Sequence, residues 1–355
     1  MTVVQNGHSV LPVAGSTFRP QARNPVFRDG PLTGAGERYQ VVRELARGGM
    51  GIVFRPREPL LDREVAVKVL QDHLRGDAHA VERFRTEARV TAQLQHPGVP
   101  PVFEVGELAD GSPYLVMKLI RGLTLAELLA DRAHAAAELP RFFNWFELVC
   151  QAVAYAHHKG VVHRDLKPAN VMVGAFGEVQ VMDWGLAKVL APDGAGGSSP
   201  AHLVQSPMPS NATCHGGLLG TPAYMAPEQA RGEPADTRTD VFALGAILFE
   251  ILTGQKVYGV ATGDAVLHRA AREQFETSGP LRSSPADPEL SAICRRCLEA
   301  KPDRRYPDAE EVAHAVGAYR SGLEDRLRAA VQRRRSTNSY RGVFPYIYRI
   351  FRMKA

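Results

Sequence analysis

The string His163, Arg164, Asp165, Leu166, Lys167, Pro168, Ala169, Asn170 constrains this chain more than any other stretch in it. It fixes a carboxylate, an ammonium and an amide at set spacing on one short segment. A carboxylate can accept the proton of an attacking hydroxyl, an ammonium can offset charge on a moving phosphoryl group, and hard oxygen atoms can ligate a divalent cation. Asp165, Lys167 and Asn170 can supply one function each. Phosphoryl transfer also needs a second metal ligand and a place for the phosphates of a nucleotide.

A second oxygen donor follows at once. After an apolar run over 171–173 and a turn over 174–177 comes Val179, Gln180, Val181, Met182, Asp183, Trp184, Gly185. Two β-rich runs separated by a glycine-containing turn predict a hairpin, which would bring Asn170 and Asp183 to face one cation. Upstream, Leu45, Ala46, Arg47, Gly48, Gly49, Met50, Gly51, Ile52 and Val53 form a glycine-rich stretch, whose backbone N–H groups could approach phosphates closely where no Cβ intervenes. Val65, Ala66, Val67, Lys68, Val69 and Leu70 read as a buried strand carrying one lysine, and a buried ammonium needs an anion. Val81, Phe84, Ala88, Thr91 and Leu94 recur at spacings of three and four, the pattern of a helix with one apolar face. Glu87 lies close to that face and is the natural partner of Lys68.

These strings, in this order, resemble the motifs of bacterial serine/threonine protein kinases of the eukaryotic type; Arg47 to Gly51, Asp183 to Lys188 and Ala223 to Ala230 are similar to kinases of planctomycetes and related bacteria. The resemblance spans about 39–319. It implies an α+β fold of two lobes, a small β-rich N-lobe with one main helix and a larger, mostly helical C-lobe. It also implies ATP-dependent transfer to Ser/Thr hydroxyls of proteins, with Asp165 taking the hydroxyl proton and Lys167 stabilising the γ-phosphoryl charge. Lys68, paired with Glu87, would hold the ATP phosphates under the 45–53 loop. Asn170 and Asp183 would hold Mg²⁺, with Mn²⁺ as an alternative ion. Ala66, Met117, Lys118, Leu119 and Ile120 would surround the adenine, Met117 at the back of its pocket. The stretch Gly220, Thr221, Pro222, Ala223, Tyr224, Met225, Ala226, Pro227, Glu228 resembles the family's substrate-site segment, in which Glu228 pairs with a distant arginine; the match is Arg305, with Arg304 as the competing assignment. Asp240 matches the residue that holds the catalytic loop. Two positions depart from the pattern: Ala46 stands where a glycine is expected, and Trp184 replaces a phenylalanine. An alternative from another class is a binding scaffold of the same fold without turnover; its usual signature is a lost reacting residue, whereas Lys68, Asp165, Asn170 and Asp183 are all present.

Organisation follows from composition. Residues 1–37 are rich in Gly, Pro, Ser, Asn and Gln without periodicity and read as a flexible leader. The kinase domain is expected over 38–323, as an N-lobe 38–118, a hinge 117–122 and a C-lobe 123–323, with a basic tail containing aromatic residues over 324–355. At 355 residues, 45% hydrophobic and 23% charged, the chain suits two core-bearing lobes. It contains no apolar run of membrane-spanning length and no signal-peptide pattern, so a cytoplasmic location is expected. Cys294 and Cys297 have metal-like spacing but no second pair, and are expected to pack in the core. Residues 191–210 are dominated by Gly, Ala, Ser and Pro, which predicts a mobile activation loop that phosphate could order through Arg164. Its candidate acceptors are Ser206, Ser210 and Thr213, with Thr221 closer to the substrate site. The net charge of +5 gathers in the tail, where an anionic membrane surface or an acidic partner is the expected binder, if any, and nucleic acid is not.

Overall fold

The computed structural model describes residues 38–190, 222–259 and 263–336. The leader 1–37, the candidate acceptors Ser206, Ser210, Thr213 and Thr221, and the tail beyond 336 lie outside the described residues.

Strand β1 (Gln40–Arg47), β2 (Gly51–Glu58), β3 (Arg63–Leu70), β4 (Val102–Glu107) and β5 (Pro113–Lys118) form an antiparallel sheet in the order β1-β2-β3-β5-β4. Period-two alternation divides β3 between two cores. Val65, Val67 and Val69 face one cluster with Ile52, Phe54 and Val116. Ala66 and Leu70 face the other, with Phe84, Ala88, Leu115 and Met117. Lys68 shares the parity of Ala66 and Leu70, so the strand itself turns the ammonium toward the helix α1 (Ala78–Gln93). A side-chain cap starts that helix: the Asp77 carboxylate accepts from the backbone N–H of His79 and Ala80 at 2.9 and 3.3 Å. Phe84, Glu87, Ala88 and Thr91 are buried along its inner face.

Beyond the connection 119–121 come β6 (Gly122–Thr124), α2 (Leu125–Asp131), α3 (Leu139–His158), β7 (Val161–Val162), β8 (Val171–Gly174), β9 (Val179–Val181) and β10 (Lys188–Val189). A reciprocal cap starts α2, with Thr124 Oγ1 accepting from Glu127 N and Glu127 accepting from Thr124 N. The expected hairpin is β8 against β9, paired Val171 to Val181 and Val173 to Val179, with β6 on its other side. The remaining helices are α4 (Pro227–Ala230), α5 (Thr237–Thr253), α6 (Asp264–Ala271), α7 (Ser278–Ser283), α8 (Pro288–Cys297) and α9 (Ala309–Ser336). Helix α5 is buried on nearly every side from Thr239 to Leu252, the signature of a central helix. It ends at Gly254 with φ 72°, a left-handed position that favours glycine. Cys294 and Cys297 are buried against α5, and the Cys294 thiol donates to the Gly245 carbonyl, so this pair packs in the core. Helix α9 runs on past 323 to Ser336, carrying regular structure into the stretch set aside as tail. The sheet-based lobe and the helical lobe are those of an α+β, two-lobed fold.

Candidate active site

The 163–170 string lies between β7 and β8, and its backbone is held from below by one buried carboxylate. Asp240, fully buried on α5, accepts from the backbone N–H of His163 at 2.7 Å and of Arg164 at 2.8 Å, and from His157 Nε2 at 2.9 Å. Burial alone would raise its pKa, but His157 and the His163 backbone N–H hold it below the ordinary aspartate value. The tautomer of His157 is fixed by its other side: Ala309 N–H donates to Nδ1 at 3.1 Å, so the ring proton sits on Nε2 and points at Asp240. These bonds hold Arg164 at φ 66°, a left-handed backbone costing roughly 1–2 kcal/mol in a residue with a Cβ.

The side chains then converge. Lys167 Nζ lies 2.7 Å from Asp165 Oδ2. Asn170 Nδ2 donates to the Asp165 carbonyl at 2.8 Å and to Oδ2 at 3.2 Å. Among the described residues nothing takes Asp165 Oδ1, which leaves one carboxylate oxygen for a hydroxyl. The hairpin performs the expected juxtaposition: Met182 N–H donates to the Asn170 carbonyl at 2.7 Å, setting Asp183 beside the loop. His163 ties the two together. Asp165 N–H donates to its Nδ1 at 3.2 Å, and its Nε2 donates to the Met182 carbonyl at 3.0 Å. Asp183 also has positive φ, 62°, and its side chain is 49% exposed, open to a ligand.

Lys68 reaches this point from the other lobe. Its Nζ is 2.5 Å from Glu87 Oε1 and 3.8 Å from Asp183 Oδ1. Burial opposes the lysine charge, but the two carboxylates more than offset it, so its pKa stands above the ordinary value. Burial likewise pushes the Glu87 carboxyl up, against the pull of Lys68. The pair is ionised, because a proton on Glu87 would remove the anion nearest a buried ammonium. Among the described residues Glu87 Oε2 is buried without a hydrogen-bond partner; Gly185 lies against it, and a Cβ there would come within 3.0 Å of that oxygen.

The glycine-rich stretch forms the turn between β1 and β2. Leu45, Ala46 and Arg47 end β1, and Gly51, Ile52 and Val53 begin β2. Gln71 secures the turn, its amide donating to the Gly48 carbonyl and its N–H to the Met50 carbonyl. A Cβ at Gly51 would lie 3.1 Å from Lys68 Cγ and Cε, so the glycine lets this backbone close over the lysine. Met50, Val53, Ala66, Met117, Leu119 and Met182 share one apolar cluster, and Ala66 pairs with Met117 across β3 and β5. Lys118 ends β5, with Ile120 just beyond it. Trp184 is 1% exposed; its indole N–H donates to the Val181 carbonyl at 3.1 Å, and its ring lies 4.6 Å from that of His163.

The 222–228 segment is pinned from beneath. Arg305 Nη1 and Nη2 meet Glu228 Oε1 and Oε2 at 2.7 and 2.9 Å, both residues buried, which decides between Arg305 and Arg304. Sequence reasoning missed His157, His163 as a two-sided bridge, and Gln229. Their partners lie up to 152 residues away, and no local spacing signals such pairs.

The donor set suits a nucleotide and a divalent cation: Asp183 and Asn170 offer hard oxygens, and Lys68 keeps donor capacity beyond Glu87. Residues 39–316 match the protein kinase domain family, whose members generally use ATP and Mg²⁺. The serine/threonine-protein kinase PknD of Protochlamydia amoebophila is 33% identical over 306 residues, covering 81% of this chain and 30% of its own. The serine/threonine-protein kinase PknB of Mycolicibacterium smegmatis is 36% identical over 279 residues, covering 78% of this chain and 42% of its own. The chain thus spans less than half the length of either relative. With the family's motifs matched in order and folded into one cleft, the chain belongs to the protein kinase domain family.

Proposed function

We propose that this chain transfers the γ-phosphoryl group of ATP to Ser or Thr hydroxyls of proteins. The observation that carries this reading is the convergence of Lys68, Asp165, Asn170 and Asp183 from three separate segments on one cleft. The relatives named serine/threonine-protein kinase support it, and no reacting residue is missing, so nothing favours the scaffold alternative.

In this mechanism the free oxygen of Asp165 orients the acceptor hydroxyl and takes its proton. Lys167 keeps positive charge beside that carboxylate, where charge builds on the transferred group. Lys68, braced by Glu87, and the backbone of 48–51 hold the phosphates, and the 66, 117–120 surface receives the adenine. Asn170 and Asp183 would hold Mg²⁺ or Mn²⁺, which would supply positive charge against the phosphates. We take 38–323 as the catalytic domain, with 191–221 as its activation loop. A phosphate on Ser206, Ser210, Thr213 or Thr221 would be met by Arg164, whose guanidinium burial and the nearby Arg83 charge hold below the ordinary arginine pKa; a dianion relieves both costs. The basic stretch 324–355 suits an anionic membrane surface or an acidic partner. Among the described residues no helix is long and apolar enough to cross a membrane, and a cytoplasmic setting fits the reading.

Purified full chain, labelled ATP, Mg²⁺ and a Ser/Thr-rich acceptor such as casein test the proposal beside Asp165→Asn. Label on casein that is lost in the variant supports it. Absence of label with the intact chain contradicts it.

A further inference from the structure

The structure assigns Gln229 a positioning role: its side-chain amide ties the orientation of Asp165 to the docking of the 222–229 segment. The inference rests on the kinase reading above.

Gln229 lies on the short helix α4, right after the buried Glu228. Its Oε1 accepts from Ala226 N–H at 3.3 Å, and its Nε2 donates to the Arg164 carbonyl at 2.8 Å. The orientation of the amide is forced, since a backbone N–H can only donate and a carbonyl can only accept. One side chain therefore closes its own helix start and reaches across to the catalytic string.

The bond it makes there falls on the peptide that carries Asp165. That peptide's carbonyl belongs to Arg164 and takes Gln229. Its N–H belongs to Asp165 and donates to His163 Nδ1 at 3.2 Å. On the preceding peptide, Arg164 N–H is held by Asp240. Asp240 and His163 belong to the catalytic core, whereas Gln229 comes from the substrate side. The left-handed Arg164 backbone is strained and would relax if released, and rotation of its ψ swings the Arg164 carbonyl and Asp165 together. A cavity of about 20 Å³, lined in part by Asp165, Lys167, Tyr224 and Met225, lies between segment and loop. Direct packing is therefore incomplete at that point, and the hydrogen bond bridges the two. On its far side the segment is anchored by Tyr258, whose hydroxyl donates to the Met225 carbonyl at 2.7 Å, and by the Glu228–Arg305 pair. Placement of the acceptor-binding segment thus reaches the base through Gln229.

Glutamine is suited to both bonds at once. Glutamate keeps the acceptor for Ala226 and loses the donor for Arg164; lysine keeps a donor and loses the acceptor. The full chain carrying Gln229→Glu or Gln229→Lys is assayed with casein and labelled ATP, with kcat normalised to sites that bind a fluorescent ATP analogue. Gln229→Glu is expected to lower kcat about tenfold to a hundredfold, with KM for ATP within about twofold of the unsubstituted chain. Gln229→Lys is expected to retain kcat within about threefold. Unchanged kcat in Gln229→Glu would assign Gln229 to helix capping alone, and an equal loss in both variants or joint loss of folded protein and ATP binding would assign it to packing alone; each of these outcomes overturns the inference. If the unsubstituted chain binds the analogue but labels no casein, the kinase reading itself fails.

Discussion

The Trp184 indole N–H donates to the Val181 carbonyl three residues back, across the turn that presents Asp183. Phenylalanine, which the family pattern expects here, has no donor to make this bond. Replacing Trp184 by Phe removes it and leaves a buried carbonyl without that partner. Trp184→Phe is expected to cost about 1–2 kcal/mol of stability in chemical denaturation, while retaining measurable phosphate transfer because Asp183 itself is untouched.

Asp240 gives the site a pH signature. Its folded pKa is depressed, so its contribution to stability is fully present above the unfolded value of about 3.9 and is lost as pH falls through the folded value. Asp240→Asn is expected to destabilise by about 2–3 kcal/mol at pH 7, and the gap to the unsubstituted chain to narrow below about pH 4. Denaturation at a series of pH values reads both. A gap that widens on acidification contradicts the assignment.

The Lys68–Glu87 pair ranks two substitutions under the proposed mechanism. Lys68→Met removes a buried donor from the proposed phosphate site and should lower kcat about a hundredfold or more. Glu87→Gln leaves the ammonium in place, with Asp183 still 3.8 Å away, and should cost less. Steady-state kinetics of both variants give the order.

The Glu228–Arg305 pair is buried at both ends, with exposures of 4% and 3%. Arg305→Leu leaves the Glu228 carboxylate buried without its cation and should destabilise by about 3–5 kcal/mol. Arg304 is exposed, and Arg304→Leu is expected to leave stability within about 0.5 kcal/mol. The contrast is read from thermal or denaturant unfolding.

Much of this site was legible in the sequence because its parts are local strings. The eight residues from His163 to Asn170 carry three chemical groups on one segment, and the alternation of β3 alone points Lys68 away from Val67 and Val69. The β8–β9 hairpin followed from two apolar runs and a glycine turn. What stayed hidden depends on distance. His157 meets Asp240 across 83 positions and Ala309 across 152, and Gln229 meets Arg164 across 65. The choice of Arg305 over Arg304 needed the fold, because adjacent arginines differ only in which one the backbone turns inward. The extension of α9 to Ser336 escaped a reading that saw a basic, aromatic-containing tail, since helix-forming residues such as Leu327, Ala329 and Ala330 sit among the charges.

Asp165, Asn170, Asp183 and Lys68 are proposed to carry out protein phosphorylation together. The most direct measurement incubates the purified full chain with Mg²⁺ and labelled ATP, beside Asp183→Asn, and maps phosphate by mass spectrometry. Phosphate on Ser or Thr within 191–221 of the unsubstituted chain, absent from the variant, is the predicted result. An unlabelled chain that still binds an ATP analogue would contradict it.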